Sequence, residues 1–202
     1  MRKKPILIKE ENIMEQNSSH IKIQKARIIG SFFLLAFLLY GIGRNIFESE
    51  ILAEKYTGAL LIFGNSIIVL LIGIFLRKFL IKHNVFVGNI YLLSRIFEAI
   101  ALASIILNIF PNVNIPLDIG YFIGMIALGV GSIPMCYLFL KHRIVPEWLA
   151  IWGIIGYAIF AFGFLMELFG NEWSMYLLGL GGLWEIYFAI WLILKSGKIT
   201  TN

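Results

Sequence analysis

The sequence has one cysteine, Cys136. That excludes an intramolecular disulfide and any metal site built on paired cysteines. Charge is scarce too: 14% of the 202 residues are Asp, Glu, Lys or Arg, against about 25% in a typical soluble domain. Histidine occurs three times, as His20, His83 and His142, each away from the middle of an apolar run, which argues against haem or metal ligation within a bilayer. No His/Asp/Glu set has metal-ligand spacing. The sequence also lacks a nucleophile–base pair, a glycine loop able to cradle phosphate, and a soluble catalytic domain. Gly41-x-Gly43 is too short for a nucleotide motif and lies inside an apolar run. The sequence thus calls for no cofactor and points away from an enzyme.

What is abundant is apolar surface, at 59% of residues. One soluble core of this size could not hide it, because a folded domain keeps much of its surface in water. The excess must face lipid. The net charge of +5 does not imply nucleic acid, since the basic residues sit in short clusters between apolar runs, as in membrane proteins.

Six apolar runs follow a polar segment, at about 28–47, 57–76, 85–110, 117–140, 148–169 and 174–194. Each is close to the roughly 20 residues that cross about 30 Å of hydrocarbon. The first is too long for a signal-peptide core and has no small-residue cleavage site after it. The expected fold is all-α: a polytopic bundle of six transmembrane helices over residues 21–202, preceded by a mobile, polar cytoplasmic tail at 1–20. Asn17-Ser18-Ser19 fits a glycosylation sequon, but a cytoplasmic tail makes it irrelevant.

Of the 17 Lys and Arg, all but Arg44, Lys55 and Arg95 fall before the first run or in the connections after the second, fourth and sixth runs. The alternate connections carry Glu48, Glu50, Glu54, Asp118 and Glu172. The positive-inside rule therefore places both termini in the cytoplasm. Trp148 and Trp191 near inner ends, and Trp173 and Tyr176 near an outer end, suit headgroup depth. Pro146 opens the fifth helix, where a missing N–H does no harm. Pro134 lies inside the fourth and is expected to kink it. Gly120, Gly124, Gly129 and Gly131 in the fourth run, and Gly179, Gly181 and Gly182 in the sixth, would let helix backbones approach closely in lipid.

The ionisable residues within the runs carry the functional information. A charge at a helix centre disfavours insertion by about 2.5–3.5 kcal/mol, so each needs a partner. Arg95 and Glu98 are three apart and share a helix face with Tyr91 and Ser94. Glu185 and Asn65 fall at similar depth. A midplane cluster of Arg95, Glu98, Glu185, Asn65, Ser94 and Tyr91 is the candidate site. With both carboxylates ionised it would carry one net negative charge, which a proton could neutralise. It could be an ionic lock or a working site. Arg44 and Glu167 fall near outer helix ends, as interfacial anchors or as a pair closing a cavity. Phe97-Glu98 also resembles Trp184-Glu185, a weak hint of the inverted repeat found in some transporters.

Three stretches look familiar together: Arg95-Ile96-Phe97-Glu98-Ala99; Ile144-Val145-Pro146-Glu147-Trp148-Leu149-Ala150 running on to Gly153, Gly156 and Tyr157; and Trp184-Glu185 followed by Ala189, Trp191-Leu192-Ile193 and Lys195. In this order and spacing the chain resembles, over about residues 26–197, an uncharacterised bacterial membrane family, domain of unknown function 4386. Members often end the last helix in Lys-Gly-Phe, where this chain has Lys195-Ser196-Gly197-Lys198. The resemblance implies a multi-pass protein of the bacterial inner (plasma) membrane and no particular activity. Three function classes remain: a non-catalytic sensor, scaffold or accessory subunit; a small carrier or proton-coupled transporter; and an intramembrane enzyme acting on lipid or another apolar substrate. The lipid bilayer is the partner the sequence names. Any protein partner or small ligand is left open, and nucleic acid is not expected.

Overall fold

The computed structural model describes the backbone of residues 5–110, 112–171 and 174–195, and side chains from residue 24 onward except at 117, 174–180 and 195. Six α-helices follow one another: α1 (Pro5–Phe47), α2 (Leu52–Leu80), α3 (Val85–Ala103), α4 (Leu117–Lys141), α5 (Glu147–Glu167) and α6 (Ser174–Lys195). The chain is an all-helical, multi-pass membrane protein. Five segments are long and apolar enough to cross a bilayer, the first being Gln24–Phe47, and a shorter apolar stretch lies at Gly181–Leu194 in α6.

Two boundaries differ from expectation. The backbone of α1 is already helical at Pro5, ahead of the apolar span that begins at Gln24. The third run does not stay α-helical to residue 110. It tightens into a 3₁₀-helix over Ser104–Ile109, as chain ends of helices often do, just ahead of Pro111, whose ring disfavours helix in the residue before it. Asn108 then holds the turn: its Nδ2 donates to Ile115 O and its Oδ1 accepts from Ile115 N, both at 2.7 Å. By contrast, α4 runs through Pro134 without a break in its helical assignment.

Local chemistry fixes the other ends. Asn84 caps α3, its Oδ1 accepting from Val87 N at 3.0 Å, one of the donors a helix start leaves unpaired. Pro146 precedes α5. The short connections make successive helices antiparallel neighbours, and α6 returns to pack on α1, closing a ring. Glycine permits the close approaches. A Cβ on Gly120 would stand 2.6 Å from Ala101 O of α3, and one on Gly129 would stand 2.8 Å from Ala161 Cβ of α5. The glycines of α4 therefore serve two faces rather than one seam. In α6, Gly181 packs on Phe160, whereas Gly182 has open space beside it; the side chains expected at the other end of that helix (Glu172, Trp173, Tyr176) and Gly179 lie outside the described residues.

The bundle is apolar outside and partly polar inside. Leu60, Phe86 and Ile100 are exposed on the outer surface, while Arg95, Glu98, Asn65 and Glu185 are buried. Phe97 points outward and is 55% exposed, whereas Trp184 is fully buried and donates from Nε1 to Leu149 O at 2.7 Å. The two aromatic–Glu pairs thus share the glutamate's inward position and nothing else, and the suspected repeat finds no support in its aromatic partners.

Candidate functional site

Arg95 lies about 15 Å along α3 from Val85, and Glu185 about 16 Å along α6 from Ser174, at 1.5 Å per residue. Both therefore lie about half-way along their helices. Three- and four-residue spacings put Tyr91, Arg95 and Glu98 on one face of α3, which the ring turns inward.

The guanidinium has described partners on all three nitrogens. Nε donates to Tyr91 Oη at 2.9 Å, Nη1 to Glu98 Oε2 at 2.9 Å, and Nη2 to Glu185 Oε1 at 3.0 Å. Its carbon also sits 5.2 Å from the ring centres of Phe33 and Tyr91, within the range where an aromatic face attracts a cation. Tyr157 of α5 completes the group, its hydroxyl donating to the same Glu185 Oε1 at 2.8 Å. One arginine and two carboxylates, both ionised, leave this group one net negative charge.

The helices α3 and α6 are not close neighbours in the ring. Long side chains join them across the interior. Of the predicted cluster, the structure brings Arg95, Glu98, Glu185 and Tyr91 into one network. Ser94 is elsewhere, donating to Tyr91 O at 2.8 Å and pressed against Gly131 of α4, because residue 94 is one helical step off the Arg95 face. Tyr157 and Phe33 lie outside the candidate cluster read from the sequence. Tyr157 stands about 15 Å along α5 from Glu147.

Beyond the network lies a cavity of about 240 Å³, lined by Arg95, Glu98, Glu185 and Asn65 at its polar end and otherwise mainly by apolar and aromatic side chains. Asn65 is 2% exposed, and its Nδ2 has no hydrogen-bond partner among the described residues. Gly41 of α1 and Gly182 of α6 line the same space, and a Cβ on either would touch nothing within 4 Å. Tyr40 and Tyr121 also line it, stacked at 5.4 Å between ring centres.

Arg44 stands over Tyr121, 5.9 Å from its ring centre. Its described ion-pair partners are Glu48, at 3.2 Å, and Asp118 at the start of α4. Glu167 itself ends α5. At the opposite end of the bundle His83 and His142 approach to 4.7 Å between ring centres.

No curated protein and no solved structure matches the chain. A family model does match it, over residues 115–196. That span runs from the connection before α4 to just past α6, so it contains Tyr157 and Glu185 while Arg95 and Glu98 lie outside it. The matching family is the one described as Domain of unknown function (DUF4386), the same family that the sequence motifs resemble.

Proposed function

We propose that this chain is a non-catalytic, ligand-holding protein of the bacterial inner membrane, spanning the bilayer six times with both termini in the cytoplasm. One observation carries the ligand reading: a buried amide, Asn65 Nδ2, has no described partner and lines a cavity beside two carboxylates. A buried donor left unpaired costs about 1–3 kcal/mol. Such a group is retained where something else supplies the acceptor. Arg95, with a partner on each nitrogen, is the tie that holds α3, α5 and α6 around the cavity.

The orientation is supported by Arg77, Lys78 and Lys82 after α2 and by Lys141 and Arg143 after α4, which successive antiparallel helices bring to one end of the bundle. The protein would then sense a ligand or act as an accessory subunit. A small carrier is the second reading, favoured by a cavity whose lining includes both buried carboxylates and Tyr121, the ring beneath Arg44.

The test is access to the cavity in native membranes. Leu102 lines the cavity, whereas Leu149 is buried in the core away from it. In a background with Cys136→Ala, a cysteine at position 102 should react with a small membrane-permeant thiol reagent much faster than one at 149. Equal, slow labelling of two folded variants would mark a dry, closed bundle and end the ligand reading.

A further inference from the structure

The chemistry around the cavity selects among ligands. Resting on the ligand-holding reading above, we infer that the cavity takes a small lipophilic monocation, an amine or quaternary ammonium with an apolar body and a hydrogen-bond acceptor.

Charge is the first argument. The buried network of Arg95, Glu98 and Glu185 has one carboxylate more than it has cations. Among the described residues Arg95 is the only cation lining the cavity, and each of its three nitrogens already donates to a described partner. An anion entering the cavity would meet the excess negative charge of the Glu98–Glu185 end. With a neutral molecule bound, the buried imbalance is left for a proton on one of the carboxylates to relieve. A single positive charge beside Glu98 cancels it.

Shape and lining supply the second argument. Tyr40, Tyr121 and Phe160 border the space, and aromatic faces attract cations, quaternary ammonium groups in particular. Asn65 Nδ2 adds a donor on the same wall, which an ester or ether oxygen of the ligand would satisfy. About 240 Å³ admits a molecule of that kind and little more. Glu98 balances the charge, the tyrosines and Phe160 enclose the head group, and Asn65 fixes its orientation.

The experiment is titration calorimetry on the purified full chain in detergent with three probes of similar size. They are butyrylcholine, its uncharged carbon isostere dimethylbutyl butyrate, and hexanoate. The choline ester should bind more tightly than the isostere by about tenfold or more, equivalent to about 1.4 kcal/mol, and hexanoate should bind least. Glu98→Gln keeps an acceptor for Arg95 while removing the surplus charge, so it should erase the preference for the cation. Asn65→Leu, which breaks no described hydrogen bond, should weaken both esters and keep the preference. If the isostere or hexanoate binds as tightly as the choline ester, the cationic class is overturned and the ligand-holding reading stands. If no probe binds while position 102 labels readily, the cationic class is again overturned. If no probe binds and position 102 does not label, both readings fall.

Discussion

Arg95 and Glu185 are 90 positions apart, on helices that are not close neighbours, and still meet at 3.0 Å between Nη2 and Oε1. The contact crosses the interior of the ring. It sets a geometric requirement that adjacent-helix packing does not, because two long side chains must reach the centre together. Arg95→Ala would leave Glu98 and Glu185 facing each other in a buried site. Breaking a buried ion pair costs about 3–5 kcal/mol in soluble proteins, with smaller values for polar contacts within membranes. Thermal unfolding in detergent should show a large loss for Arg95→Ala. The neutral triple variant Arg95→Met, Glu98→Gln, Glu185→Gln should recover part of it. A triple variant less stable than Arg95→Ala would show that charge compensation is not what Arg95 contributes.

Tyr157 offers a smaller test of the same network. Its hydroxyl donates to Glu185 at 2.8 Å, and hydrogen bonds to charged groups contribute about 1.5–3 kcal/mol. Tyr157→Phe keeps the ring that packs edge-on against Trp184 and removes only that donor. It should lower the unfolding temperature by less than Arg95→Ala does. A loss as large as that of Arg95→Ala would mean that Tyr157 and not Arg95 is the main support of Glu185.

Much of this arrangement was legible before any coordinates. Apolar length gave the helices, and the three-residue spacing of Arg95 and Glu98 required a shared face. The cost of a central charge required a partner, for which Glu185 was the available residue at that depth. What stayed hidden depends on neighbours in space. Three-residue spacing from Tyr91 draws Ser94 toward the polar face, but 94 and 95 point in different directions around a helix, and Ser94 turns to Gly131 of α4. Tyr157 carries no charge, so nothing in its run marked it as a partner. Asp118 begins α4 beside the end of α1 because the ring brings those ends together, and no local pattern reports that. The cavity itself follows from where side chains stop, as at Gly41 and Gly182, which sequence periodicity does not record.

Topology has its own test. A cytoplasmic-type reporter fused after Asn202 should be active, and a periplasmic-type reporter inserted between α1 and α2, at Glu48–Ile51, should also be active. Strong periplasmic activity from the C-terminal fusion would reverse the orientation and with it the assignment of the Arg44 end to the outside.

The histidine pair predicts a weak pH dependence. Partial burial holds His83 below its ordinary value, with His142 and Lys82 adding to the effect. The unfolded chain therefore binds a proton at position 83 more readily than the folded one does. Stability should be fully present above about pH 6.5, the usual imidazole value, and decline as pH falls below it. The exposure of the ring keeps the effect small. His83→Gln should flatten that part of the unfolding profile, and an unchanged slope in the variant would assign the dependence to another group.

Asn65→Leu is the most discriminating substitution, because it should move two properties in opposite directions. The amide is buried at 2% exposure and its Nδ2 has no described partner, so the ligand-free protein keeps it out of water without full compensation. Leucine is close in size and has no polar atom to desolvate. The exchange should raise the unfolding temperature of the ligand-free protein, by a stability gain on the order of 1 kcal/mol from the relieved donor. The same exchange takes from the ligand a donor lining the cavity that has no described partner, so binding should weaken. A purely structural asparagine would show the reverse: lower stability with no change in binding. Unfolding curves with and without butyrylcholine, on wild type and Asn65→Leu, measure both quantities, and a destabilised variant with undiminished ligand response would remove Asn65 from the site.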